Sequence, residues 1–126
     1  MRLLLLTPLL FVAAGASALQ PQPETLESAI GDRVEVATHA CVMSRNLRGN
    51  RGIGENVIVF RGRTNSTVYV NRTRYACPEL TRLRTLQVSS PTGRLCSGDI
   101  VNVVDLQSDI DYGGCALGDF VEYRRP

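Results

Sequence analysis

The sequence predicts a mainly β domain: a small antiparallel sheet, barrel or sandwich of about six short strands, stapled by two disulfides. Three observations carry this. β-branched or alternating runs recur along the chain with turn residues about every 8 to 12 positions. Four cysteines, Cys41, Cys77, Cys96 and Cys115, are scattered through it. The length, 126 residues, leaves room for one thin core once an export segment is set aside.

That export segment is read over residues 1–18. Met1 and Arg2 supply one positive charge, Leu3 to Ala14 is apolar apart from Thr7 and Pro8, and Ala16-Ser17-Ala18 is a small-x-small cleavage site. The apolar stretch is shorter than the ~20 residues that span a bilayer. No basic stop-transfer follows it and no cysteine stands at the cleavage point, which predicts a mature chain with no membrane span and no lipid anchor. Residues 19–32, with Pro21 and Pro23, read as an extended leader in which Thr25 to Ile30 holds at most one helical turn. Residues 33–126 read as the disulfide-stapled domain.

Within the domain, Val34 and Val36 alternate with charged residues as a brief strand, and Asn46 to Glu55, with Gly49, Gly52 and Gly54, reads as a loop. Asn56 to Arg61 is apolar on both faces, the pattern of an interior strand. Thr67 to Asn71 forms the second arm of a hairpin. A turn centred on Thr64 would place Ile58 and Phe60 on one face with Val68 and Val70. Cys77-Pro78-Glu79-Leu80 marks a turn. Leu86 and Val88, Arg94 to Cys96, Ile100 to Leu106 and Phe120 to Tyr123 supply the remaining extended pieces, with a polar loop ending at Gly113-Gly114.

An even cysteine count in an exported chain reads as a disulfide framework, because zinc takes its ligands in close pairs that are missing here. Four cysteines allow three pairings, and loop entropy, on the order of 3 to 4 kcal/mol per bond, does not choose among them. We favour the nested pairing, Cys41–Cys115 with Cys77–Cys96, on the expectation that the outer bond ties the two ends of the domain together.

The charge is nearly balanced: 14 basic residues, all arginine, against 12 acidic ones. Removing Arg2 leaves 13 against 12, which argues against nucleic-acid binding. With no tryptophan there is little to stack on bases or sugars. No catalytic, metal or cofactor motif is present. His39 is the single histidine, and a disulfide at Cys41 would leave it no thiolate to activate. Asp105, Asp109 and Asp111 lack the EF-hand order and read as a solvated loop. Asp99 reads as a turn cap after Ser97-Gly98. Arg61, Arg63, Arg72 and Arg74 flank the predicted hairpin and are the candidate patch for an anionic ligand or an acidic partner. Asn65-Ser66-Thr67 and Asn71-Arg72-Thr73 match the glycosylation sequon, of which about one is expected by chance.

Cys41, Cys77-Pro78-Glu79-Leu80, Gly93 to Asp99 and Cys115 to Phe120, with the V-I-V-F-R-G-R strand at Val57 to Arg63, together resemble a family of small exported bacterial four-cysteine proteins whose function is unknown. The resemblance covers about Cys41 to Phe120. It implies a periplasmic or secreted address and bare sequons, and it implies no activity. The expectation is therefore a non-catalytic binding or interaction module of the bacterial envelope, with an envelope protein or an anionic ligand as partner. An inhibitor of a secreted enzyme, presenting Gly49 to Gly54, and a small hydrolase using Asp99 or Asp119 are the rival expectations.

Overall fold

A computed structural model describes residues 8–15, 24–77, 80, 84–88 and 90–126. The expected cleavage site and the proline-bearing start of the leader lie outside these residues, as do Pro78 and Glu79. Residues 8–15 have no regular structure, and Leu9, Leu10, Phe11 and Val12 are exposed. Among the described residues there is no helix long and apolar enough to cross a membrane.

The order along the chain is helix α1 (Leu26–Ile30), then β1 (Val34–His39), β2 (Cys41–Met43), β3 (Gly49–Ile53), β4 (Val57–Arg61), β5 (Thr67–Arg72), β6 (Thr85–Gln87), β7 (Arg94–Cys96), β8 (Ile100–Val104), β9 (Asp111–Ala116) and β10 (Phe120–Arg124). These strands form a five-stranded sheet in the order β1-β10-β5-β4-β3, a three-stranded sheet β6-β8-β9 and a two-stranded ladder β2-β7. Every pairing is antiparallel. The domain is thus mainly β, as the strand pattern predicts. Two segments expected to be loops are strands instead. Gly49–Ile53 pairs along its whole length with β4, and Asp111–Ala116 pairs with β8. Glycine and aspartate have poor strand propensity, so only the ladder partner makes these segments extended.

β4 is interior and buried on both faces, with Ile58, Val59 and Phe60 all inaccessible to solvent. Its register differs from the expected one. Val59 faces Val70 and Phe60 faces Tyr69, so the hairpin centres between Thr64 and Asn65 rather than on Thr64. Ile58 and Phe60 therefore turn away from Val68 and Val70. Side chains alternate across a sheet, and a one-residue slip sends the whole set to the opposite face.

The two faces feed two cores. Ile58, Phe60 and Phe120 pack against Leu86, Val101 and Val103 of the three-stranded sheet and Val42 and Leu95 of the two-stranded ladder. The Phe60 and Phe120 rings meet at 5.5 Å between centroids. On the other face Val59, Val68 and Val70 are covered by Ala29 of α1, with Leu26 and Ile30 beside it. Part of the stretch read as an extended leader is therefore packed structure. α1 begins at a reciprocal cap, in which the Ser28 amide donates to Thr25 Oγ1 and the Thr25 amide donates to Ser28 Oγ, each at 3.1 Å. It stops at Gly31, whose φ of 62° ends the turn.

The disulfides are Cys41–Cys96 and Cys77–Cys115, which corrects the nested pairing. The ends of the domain need no covalent tie, because β1 and β10 pair directly from Val34 opposite Arg124 to His39 opposite Phe120. Cys41 and Cys96 face each other in the β2–β7 ladder, and Cys77 reaches Cys115 of β9 in the main core.

Asn71 is buried, and its side chain exchanges two 2.8 Å hydrogen bonds with the Gly118 backbone. Its sequon is thus closed to glycosylation in the folded chain, whereas Asn65 is exposed in the hairpin turn. A Cβ on Gly118 would overlap the Arg72 carbonyl oxygen, so this exchange needs glycine.

Two outcomes follow. Peptide mapping of the unreduced protein by mass spectrometry should recover Cys41 joined to Cys96 and Cys77 joined to Cys115, and a nested set would refute this topology. Gly118→Ala should lower the stability measured by urea unfolding by about 2 kcal/mol or more, the cost of backbone overlap plus weakened bonds to buried Asn71.

Candidate ligand-binding site

The four arginines expected to form one patch are separated by the strand ladder. Arg61 stands opposite Val68 and Arg72 opposite Val57, four residues along the hairpin. At ~3.3 Å per residue that places them about 13 Å apart. Arg63 is exposed in the connection between the strands. Arg74 turns toward the Ser97-Gly98 turn, donating from Nη2 to Ser97 Oγ at 3.2 Å. Arg61 lines a cavity, together with two other arginines.

β3 and α1 supply these partners. Arg51 of β3 stands opposite Val59, and Gly49 opposite Arg61, so Arg51 and Arg61 lie on the face that α1 covers. Arg33 follows α1 and folds back over it. Its Nη1 donates to the carbonyls of Ile30 at 3.0 Å and Ala29 at 3.4 Å, and its Nη2 donates to the Asn65 carbonyl in the hairpin turn. These bonds satisfy carbonyls at the carboxyl end of the helix and fix the guanidinium between helix and hairpin. Arg33, Arg51 and Arg61, with Ser28, Thr64, Asn65 and Thr67, line a cavity of about 240 Å³.

Its charge is unbalanced. Glu24 pairs with Arg51, Oε2 to Nε at 2.7 Å, and among the described residues no salt bridge reaches Arg33 or Arg61. Arg33 Nε is buried with no hydrogen-bond partner. Burial holds the Arg33 guanidinium below its ordinary value, the charges of Arg125 and Arg51 push the same way, and Asp32 opposes them. An arginine remains charged through any such shift. Three guanidinium groups thus line the cavity, and among the described residues only that of Arg51 is paired with a carboxylate.

Several of the other sequence candidates are used structurally. Asp105, Asp109 and Asp111 do come together around one hollow, but oxygens of Asp105 and Asp111 serve the loop. Asp105 Oδ1 accepts from the amides of Gln107 at 2.9 Å and Ser108 at 3.3 Å, and Asp111 Oδ1 accepts from the Gly113 amide at 2.9 Å. The Gln107 amide is the main reason that the Asp105 carboxyl sits below its ordinary value. Among the described residues no group of three or more His, Cys, Asp or Glu side chains could hold a metal. Asp99 caps its turn as expected, accepting from the Cys96 amide at 2.8 Å. Asp99 and Asp119 are both exposed.

One constellation escapes the sequence. Glu122 of β10 is buried, with Oε1 3.2 Å from His39 Nε2 and Oε2 accepting from Arg124 Nη2 at 2.7 Å. Tyr69 stands opposite Glu122 and edge-on to His39. Burial raises the Tyr69 phenol above its ordinary value, the Glu122 charge adds to that, and Arg124 counteracts it. His39 and Glu122 are 83 residues apart in the chain. Only the β1–β10 pairing joins them, and the local signal, a lone glutamate between Val121 and Tyr123, is that of any strand.

Comparison of the chain with protein-family models, with curated proteins and with solved structures finds no match. Glu122 offers a check on the polar cluster beside it: Glu122→Gln keeps the shape but turns an amide donor toward His39 or Arg124. Urea unfolding should show a loss of about 1 to 3 kcal/mol, the cost of a buried charge-assisted bond left unmade, and an unchanged midpoint would mean that the carboxylate holds neither partner in solution.

Proposed function

We propose that the mature chain is a non-catalytic binding module of the bacterial envelope, and that it holds an anionic group of its ligand, a phosphate, sulfate or carboxylate, between Arg33, Arg51 and Arg61. The observation that carries this reading is the surplus of positive charge in the cavity under α1. Planar guanidinium groups donate paired hydrogen bonds to oxyanions, and such bonds gain strength where water is partly excluded. A volume of about 240 Å³ suits one such group rather than a polymer.

The envelope address rests on the export pattern of residues 1–18, on two disulfides, which persist in oxidising compartments, and on the resemblance to small exported bacterial proteins. The rival functions find less support. An inhibitor presenting Gly49 to Gly54 needs a projecting loop, and Gly49–Ile53 is a paired edge strand. A carboxylate hydrolase needs Asp99 or Asp119 in a water-excluding site, and both are exposed.

Isothermal titration of the purified protein with phosphate, sulfate and acetate tests the proposal. At least one should bind, with affinity falling as salt rises. Arg61→Ala should weaken binding by about tenfold or more, the value of one hydrogen bond to a charged group, while Arg72→Ala at the far end of the hairpin should leave it unchanged. Glu24→Gln frees Arg51 and should tighten binding by up to about fivefold, the range of a surface ion pair. No binding of any of the three anions, or equal effects of Arg61→Ala and Arg72→Ala, would exclude the site.

A further inference from the structure

The two disulfides sit in different surroundings. Cys77 and Cys115 are 3% and 7% exposed and belong to the main core. Cys41 and Cys96 are partly exposed and belong to neither core. Alternation along the β2–β7 ladder explains the difference. Val42 stands opposite Leu95, and both are buried in the main core. Successive side chains of a strand point to opposite faces, so the Cys41–Cys96 bond lies on the outer face of the ladder, which it shares with Met43 and the exposed Arg94.

Non-covalent contacts hold the same residues opposite each other. Backbone hydrogen bonds bracket the pair: the Ser97 amide donates to the Ala40 carbonyl at 2.7 Å on one side, and the Ser44 amide donates to the Gly93 carbonyl at 2.9 Å on the other. The turn that follows β7 also fixes Cys96. Its amide donates to Asp99 Oδ2 at 2.8 Å, and its carbonyl accepts from the Asp99 amide at 3.0 Å. Val42 and Leu95 anchor the inner face of the ladder in the core.

We infer that Cys41–Cys96 is a reversible thiol–disulfide centre that exchanges with an accessible dithiol of another exported protein, while Cys77–Cys115 is a structural bond. A thiolate of the dithiol attacks one sulfur of the bond, the S–S bond breaks, and the other cysteine leaves as its thiolate. The second thiol of the dithiol then displaces the first from the mixed disulfide. Two electrons and two protons pass, so Cys41 and Cys96 end as thiols and the dithiol ends as a disulfide. Access decides which of the two bonds exchanges, because the attacking thiol must reach a sulfur. Reduction leaves the bracketing bonds and the core anchors in place, so the two thiols stay opposite each other and the reverse reaction rejoins the same pair. The ladder packs on the side of the five-stranded sheet away from α1, and the centre does not depend on the arginine cavity.

The experiment treats the folded, oxidised protein with dithiothreitol at mildly alkaline pH, traps free thiols at intervals with iodoacetamide and maps them by mass spectrometry. Label should appear on Cys41 and Cys96 about tenfold faster or more than on Cys77 and Cys115, whose bond reacts only when the core opens. In the partly reduced ¹⁵N-labelled protein the amide signals of Phe60, Val101 and Phe120 should keep their native dispersion, and glutathione disulfide should restore Cys41–Cys96 with no other pairing. Labelling of all four cysteines at one rate, or of Cys77 and Cys115 first, would overturn the assignment of the centre. Collapse of the core signals on reduction, or scrambled pairs on reoxidation, would overturn its reversibility.

Discussion

The pairing of β4 with β5 is the constraint on which the rest of the molecule depends. Because Val59 stands opposite Val70 and Phe60 opposite Tyr69, the hairpin is apolar on both faces and each face must be covered. Phe60 and Ile58 are covered by the two smaller sheets, Val59, Val68 and Val70 by α1. A fully buried side chain of this size contributes about 1.5 to 3 kcal/mol. A slipped register would send Arg61 toward the intersheet core and Phe60 under the helix, and both coverings would fail together.

The same ladder explains how the covalent bonds are deployed. β10 lies between β1 and β5, so hydrogen bonds already hold the first and last strands of the domain side by side. The disulfides are then free to fasten the short pieces that backbone pairing holds least well. One closes the three-residue ladder of β2 and β7, and the other ties the segment after β5 into the three-stranded sheet. Their loops interleave, with sequence separations of 55 and 38 residues. Each constrains the unfolded chain by about 4 kcal/mol in the loop-entropy account.

The proposed function follows from the face that α1 covers. On the helix side, Arg33 caps α1 and is drawn close to Arg51 and Arg61, an arrangement that gathers positive charge over an apolar floor. On the sheet side, Asn50 pins β6 to β3 where the five-stranded and three-stranded sheets meet. Neighbouring residues of β4 thus serve different ends: Phe60 packs in the main core and Arg61 lines the cavity.

Sequence alone determined the β class, the interior character of Val57 to Arg61, the turn at Asp99 and the commitment of all four cysteines to disulfides. Each of these is written in local chemistry: β-branching, alternation, capping residues and an even cysteine count. Tertiary structure decided the register of the hairpin, the cysteine pairing, the strand character of Gly49–Ile53 and Asp111–Ala116, and the buried Glu122. It also chose which arginines meet. Arg61 was legible as a candidate because it ends an apolar strand, but Arg33 and Arg51 were not, since they lie 28 and 10 residues away along the chain. A strand pattern specifies which way its own side chains alternate, while partner and register depend on contacts between segments distant in sequence, and local propensity carries no information about them.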